Sequence, residues 1–530
     1  MLPAPSAERS SPPPAVAPTA RLGAHAWAVV AAAAAFFAIT CWWLSEDRSV
    51  PIFDAGYHLL TAVEFHNMLQ AGNLLGPIDH ENVYPPLAQL VGALAMFIGG
   101  VSVAAPIVGE NVVFLSLLAL GVYQTARLLY GPTEGMLAVV FALAAPLTIS
   151  LFHVFMLDTA LTALVAVSIW LILASEDFAR VGTSALAGLA VGAGMNVKVQ
   201  LALYVAGVVV TALAHGGWRN RRGFLTFALV ALAVGLPWYV VHLGELGELA
   251  SLAGSGPGVP ASDLPPLLSI HNLLWYFWSV LNVQLLVPLF LLALVGVAWA
   301  TVALARARAA HAARLEFLAG GAGAWVLLTF ATPVHDPRYS LPLLAYIAVI
   351  ATAWIPRAPR PARVAAGALL ACAVCASVLG LDLGVGREVE LTLGSDHFVL
   401  YTTNGFLASA PERDGDVPAL LSALRREGVH TVAWGLRQSE GPDFSYQGVD
   451  ALVMVAGLTP YLTEGGEYLS HSPGVATLLH EPVSANAQIP CTRLSDGTGV
   501  WVVRFDRARH ALAMYCPTHK PRFYGSVAVS

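Results

Sequence analysis

The chain has 530 residues, 57% of them hydrophobic and only 11% charged, with a mean hydropathy of +0.68. Soluble domains average about 25% charged residues, so this composition excludes a soluble globular protein and points to a polytopic membrane protein whose apolar runs need lipid around them. The formal net charge of −6 gives no sign of a nucleic-acid partner; in such a chain the placement of charge matters more than its sum.

Residues 1–23, with RSSPPPAVAPTARLG, are rich in Pro and Ala and read as a disordered tail. The apolar run 24–44 is too long for a signal-peptide core and lacks a cleavage site, so it reads as the first transmembrane helix. SVPIFDAGYHLLTAVEF follows, placing Asp54, Tyr57, His58 and Glu64, with His66 just after, beyond the end of that helix. His80 and Glu81 precede Tyr84, which opens the next apolar run, 84–100. Further runs occupy 104–129, 133–151, 154–174, 183–197, 199–214, 223–242, 280–304, 315–332, 339–355 and 363–384. From 385 the character changes to short alternating runs such as GVHTVAW, DALVMVAGL and GVWVVRF, which read as strands. The expected organisation is therefore a mainly α transmembrane domain over 24–384 and a soluble α/β domain over 385–530.

Arginine placement sets the expected orientation, because cytoplasmic loops are enriched in Lys and Arg. GGWRNRR, ARARAAHAAR and PRAPRPAR belong inside; the acidic loop 243–279, with Glu245, Glu248 and Asp263, belongs outside. Counting crossings then has 84–100 begin and end outside, as a juxtamembrane or re-entrant helix; the alternative is that 84–100 spans and one of the short runs near 190 does not. Eleven crossings remain, with the N-terminus cytoplasmic and the 385–530 domain extracytoplasmic. The preference for Arg over Lys and the abundance of Ala are associated with GC-rich bacterial coding, so the expected location is a bacterial cytoplasmic membrane.

With that parity, the unusual polar residues collect on the outer side: Asp54, His153, Asp158, Lys198, His335, Asp336 and Arg338. Lys198, Arg338 and Arg48 are the basic residues of the membrane domain that defy the positive-inside trend. Ionisable groups at membrane depth are costly and mark functional sites by default. Carboxylates suit base or metal work and cations suit an anion, so a substrate with a lipid tail and a phosphate head fits the set. A bound phospholipid fits the cations equally well.

FDAGYH after the first helix, YPPL opening a juxtamembrane segment, MLDTALTALVAVSIWL, and HDPRYSLPLL resemble, in that order, the polyprenyl-phosphate-sugar-dependent glycosyltransferases of the protein O-mannosyltransferase and aminoarabinose transferase type. The resemblance covers about residues 25–355. It implies a GT-C-like fold and inverting transfer of a sugar from a polyprenyl-phosphate donor to a protein, lipid or glycan hydroxyl at the outer face. It implies Asp54 as base, Asp158 as a second catalytic carboxylate, and Arg338 and Lys198 as phosphate ligands. Tyr57, His58, His80, Glu81, Tyr84 and His335 are the remaining candidates for substrate binding, although Tyr84 also suits an interfacial aromatic belt. Members of that family often carry Asp-Glu after the first helix and His-Pro-Pro later; here Asp54-Ala55 and Tyr84-Pro85-Pro86 stand in those places. A metal held by the scattered histidines is the lesser reading, since no HExxH or comparable spacing supports it, and no cofactor is otherwise implied.

Bland alternatives exist for each charged residue: Asp54 and Asp158 suit helix N-caps, Arg338 an interfacial anchor, and Lys198 a snorkelling side chain. A transporter or flippase of a lipid-linked glycan is the competing class; inverted repeats would favour it, and the sequence shows none. Cys491 and Cys516 are the cysteines of the outer domain and are expected to form a disulfide under oxidising conditions.

Overall fold

The structure, a computed structural model, describes residues 23–379 except 48, 50, 52, 81–83, 245–264, 307–311 and 332–334, and beyond them segments 388–393, 396–401, 431–434, 454–455, 459–460, 501–506, 511–516 and 519–524. Each apolar run read from the sequence forms helix among the described residues, as does the polar FDAGYH stretch: α1 (Ala24–Glu46), α2 (Phe53–Gln70, the FDAGYH stretch), α3 (Leu87–Gly99), α4 (Ala104–Leu129), α5 (Pro132–Ala144), α6 (Pro146–Phe152), α7 (Leu157–Ala174), α8 (Val181–Met195), α9 (Leu201–Gly217), α10 (Arg221–Val241), α11 (Ile270–Arg306), α12 (Ala312–Ala331), α13 (Pro337–Arg357) and α14 (Arg360–Leu379).

Among the described residues six helices are long and apolar enough to cross a membrane: α1, α4, α7, α10, α11 and α13. The pair α5 and α6 makes a seventh if counted as one span bent by 65°. The bend falls at Ala145-Pro146, where proline disfavours a helical residue before it and supplies no amide to the preceding turn. This is an integral membrane protein. α3, at 13 residues, is about 20 Å long, short of the roughly 30 Å hydrocarbon core.

α7 is the axis of the bundle. Nearly all of its residues are buried, as expected of a helix that is apolar on every side. Around it, small residues let backbones approach: a Cβ on Gly188 of α8 would collide with the carbonyl oxygen of Phe227 in α10. One on Gly207 of α9 would lie 2.9 Å from Gly320 Cα in α12, the close contact that small residues permit between membrane helices. At one end of the bundle α2 and α3 lie together over the first turns of α4, burying Leu59, Ala62, Val63, Met96, Ala105, Ile107 and Phe155 in a small separate cluster.

α11 begins ten residues before the apolar run that marks it in the sequence, at Ile270 rather than 280. IHNLLWYFWS is itself helical, capped by Ser269, whose hydroxyl accepts from the Asn272 amide.

Beyond α14, β1 (Glu388–Leu393) pairs antiparallel with β2 (Asp396–Tyr401). A five-stranded mixed sheet follows, built from β3 (Thr431–Trp434), β4 (Thr459–Pro460), β5 (Trp501–Asp506), β6 (Ala511–Cys516) and β7 (His519–Tyr524) in the order β4-β3-β5-β6-β7. GVHTVAW and GVWVVRF thus contribute strands. DALVMVAGL does not do so at Met454–Val455, which are helical and pack against the α2–α3 cluster. A short apolar run is ambiguous between helix and strand by pattern alone. Glu245, Glu248, Asp263 and Cys491 lie outside the described residues, and with Cys491 the expected Cys491–Cys516 bridge.

Candidate active site

The chain builds this site from five stretches far apart in sequence. Asp54 lies in the first turn of α2, where the positive end of the helix dipole favours an anion. It does not serve as a helix cap: its carboxylate accepts from Nη1 of Arg338 at 2.6 Å. Arg338 is prepared by its own neighbourhood. Asp336 caps the 3₁₀ turn that opens α13, accepting from the Arg338 amide at 2.8 Å, with Pro337 in the position where a missing amide costs least. The same carboxylate accepts from Nε at 2.9 Å and Nη2 at 2.5 Å. The guanidinium is thus fixed between two carboxylates, with three of its five N–H groups engaged. Tyr204 ties the turn down, donating to the Tyr339 carbonyl at 2.6 Å and accepting through its own carbonyl from Tyr346 at 2.7 Å.

Asp158 occupies the first turn of α7, but the side chain does not cap it. It reaches Nζ of Lys198 at 2.9 Å, and both side chains are almost wholly buried, at 1% and 5% exposure. Lys198 sits in the turn between α8 and α9, where Asn196 braces the chain by donating to the Val234 carbonyl and its own carbonyl receives the Leu87 amide. The turn behind YPPL and the turn carrying Lys198 are therefore one unit. Tyr84 joins the two halves of the site: Lys198 Nζ lies 5.5 Å from its ring centre, a cation–π distance, and the His58 ring lies 5.2 Å away. Tyr57 completes the aromatic wall, its ring 6.4 Å from Tyr84.

Electrostatics sort the roles these groups are able to take. Burial pushes the Asp54 carboxyl up, but the charge and hydrogen bond of Arg338, helped by Lys198, outweigh it and hold the group below the ordinary carboxylate value. Burial, reinforced by Lys198, brings His58 down to about 3, so its imidazole is neutral at physiological pH. Burial and the Asp54 and Asp158 carboxylates raise the Tyr84 phenol, which stays protonated. Among the described residues, Oδ2 of Asp158 and both ring nitrogens of His58 are buried with no protein hydrogen-bond partner.

The structure thus assembles Asp54, Tyr57, His58, Tyr84, Asp158, Lys198 and Arg338. It engages other candidates elsewhere. His80 pairs with Glu64 at 3.1 Å, ten residues along α2 from Asp54 and so about 15 Å away along the helix axis. His335 bonds Asn272 at 2.7 Å and stacks on Trp275. Glu81 lies outside the described residues. Two carboxylates escape the site list read from the sequence. Asp336 is visible there only as an outer-face acid, although it holds the guanidinium. Glu110, fully buried in α4, accepts from Thr159 beside Asp158; its one signal is an acid inside an apolar run. Among the described residues no group of three His, Cys, Asp or Glu side chains is arranged to hold a metal ion.

Residues 83–241, which include Tyr84, Asp158 and Lys198, match the family described as dolichyl-phosphate-mannose-protein mannosyltransferase. The fold is similar to that of the oligosaccharyltransferase of Archaeoglobus fulgidus in its apo form, with a TM-score of 0.51 at 10% identity, covering 96% of this chain and 74% of that one. ArnT from Cupriavidus metallidurans superposes with TM-scores of 0.49 in the apo state and 0.48 bound to undecaprenyl phosphate, at 16% identity. Those two matches cover 91% and 90% of this chain, and 86% and 84% of ArnT. No curated protein sequence matches the chain. Fold and family match together define the class, a membrane glycosyltransferase of the GT-C fold. Within that class, the segment carrying Tyr84, Asp158 and Lys198 bears the pattern of the protein mannosyltransferase family.

Proposed function

We propose that the protein transfers a sugar from a polyprenyl-phosphate donor to an acceptor hydroxyl, with inversion, at the outer face of a bacterial cytoplasmic membrane. The observation that carries this reading is Arg338, fixed between Asp54 and Asp336 with two N–H groups unengaged among the described residues, beside a second cation, Lys198. A planar, always-charged fork suits a phosphate, and the matched family is described by a dolichyl-phosphate sugar donor.

In the proposed reaction the acceptor oxygen attacks the anomeric carbon as the bond from that carbon to the phosphate oxygen breaks. The electron pair leaves with the lipid phosphate, where Arg338 and Lys198 stabilise the charge. The acceptor proton passes to the Asp54 carboxylate. A carboxylate weakened by Arg338 suffices, because an attacking hydroxyl becomes strongly acidic once its bond to carbon is forming. Buried Oδ2 of Asp158 and the neutral His58 ring supply unpaired polar atoms for sugar or acceptor hydroxyls, and leaving such atoms unpaired is costly. The membrane domain proposed to do this is 24–384, with 1–23 as a tail and 385–530 as an extracytoplasmic α/β domain.

Transfer from a radiolabelled polyprenyl-phosphate sugar, in membranes matched for folded protein, tests the reading. Asp54→Asn should lower turnover by roughly 10²-fold or more with donor binding nearly intact. Arg338→Ala should weaken donor binding as well, since the phosphate is present in ground and transition states alike. Arg338→Lys should recover only part of the loss. Full activity of Asp54→Asn would remove its role as base; donor flux across liposomes with no transfer would favour a flippase.

A further inference from the structure

At the end of the bundle away from the active site, a second set of charges has no part in the proposed chemistry. From Glu110, behind the active site, α4 runs 19 residues to Leu129, about 28 Å along its axis. There Tyr130 lies under two guanidiniums, Arg314 at 4.8 Å and Arg357 at 5.8 Å from its ring centre. Trp299 stands beside it, 6.0 Å from the Tyr130 ring and 5.9 Å from Arg357. With Ala300, Ala303, Leu304 and Leu318, these residues line a recess of about 120 Å³.

Part of this arrangement caps α4. Nε of Arg314 donates to the Leu129 carbonyl, and Nη2 of Arg357 to that of Tyr130, each at 2.9 Å, as basic side chains do at helix C-termini. Arg357 also has a counter-ion, donating to the buried carboxylate of Glu134. Arg314 has none among the described residues, and neither of its Nη groups has a partner there. Two guanidiniums, one carboxylate and a helix end thus leave positive charge at a recess that is otherwise aromatic and apolar.

We propose that this recess binds a phosphate anion at Arg314, and that the anion is the headgroup phosphate of an anionic membrane phospholipid whose chains lie along the apolar wall. Guanidinium matches phosphate geometry; Trp and Tyr are the side chains favoured at headgroup depth; and a cytoplasmic leaflet, where parity puts this end, holds anionic lipid. The site is independent of sugar transfer.

The test is native mass spectrometry of the delipidated full chain, with phosphatidylglycerol, phosphatidylcholine and inorganic phosphate added separately. Wild type should retain phosphatidylglycerol over phosphatidylcholine, and Arg314→Gln, which keeps a donor for Leu129, should reduce that retention by at least about tenfold, the value of a charge-assisted hydrogen bond. Ala303→Phe, which fills the recess and leaves both arginines in place, should do the same and guards against a folding defect in the first variant. Inorganic phosphate that displaces the lipid supports an anion site at Arg314; inorganic phosphate that binds while phosphatidylglycerol does not would support the anion and reject the lipid. Equal retention of phosphatidylglycerol by wild type and both variants, or no preference over phosphatidylcholine, would overturn the proposal and leave Arg314 as a helix cap.

Discussion

Lys198 and Asp158 meet almost out of reach of water, and that burial decides how each should respond to substitution. Removing one partner strands the other's charge and should cost about 3–5 kcal/mol, whereas replacing both by apolar groups of similar size can be close to neutral. Lys198→Met and Asp158→Asn are therefore expected to lower the melting temperature singly, while the double variant Asp158→Leu/Lys198→Met regains it and still fails to transfer sugar. Recovery of both stability and turnover in the double variant would reduce the pair to scaffolding. Asp54 lies at the other extreme, with 41% of its side chain exposed and in contact with Arg338. Its carboxyl is held low, so the pair is complete above the ordinary carboxylate range and is lost only as pH falls through the lowered value. His58, at about 3, stays neutral over the same range. Transfer should consequently show no inflection from these two groups between about pH 5 and pH 8. A step near neutrality that disappears in His58→Gln would show that the imidazole titrates there.

The short turn opening α13 shows what an element adds to a residue. In HDPRYSLP, Asp336 spends one carboxylate on the cap and on the guanidinium together. Asp336→Ala should lose about 1 kcal/mol of cap stability and, more tellingly, raise the KM for donor while Asp54 remains in place. An unchanged KM would mean that Asp54 alone positions Arg338. The same turn marks where reading the sequence stops. Asp54, Lys198 and Arg338 are legible because charge near membrane depth is expensive and so needs a reason. The pairing of Asp336 with its neighbour two residues on is not, because it depends on a 3₁₀ geometry that no spacing rule announces. Glu110 is hidden by the apolar run around it. Tyr84 reads as a belt aromatic, and only folding places its ring between Lys198 and His58. The helical runs themselves are legible because lipid forces backbone groups to pair within each segment; the early start of α11 is less so, since an amphipathic aromatic turn carries no such compulsion.

For the whole molecule, the arginine-rich loops and the active site should face opposite compartments. In a background without native cysteines, Leu74→Cys, at an exposed position beyond α2, should react with an impermeant thiol reagent in intact cells. Arg221→Cys should react only after permeabilisation, and the reverse pattern would invert the orientation. The pair that closes the candidate site has a further consequence, for synthesis. Asp54 and Arg338 are separated by 284 residues and Asp158 and Lys198 by 40. At roughly 5–20 residues per second, Asp54 waits on the order of 15–60 s for its partner to leave the ribosome, and Asp158 only about 2–8 s. The carboxylate that waits longest is the one whose own side chain stays partly exposed, at 41%, within reach of water. The one destined for the bundle interior is answered by a cation two helices later. The order in which charges emerge thus matches how long each is able to remain unanswered during insertion.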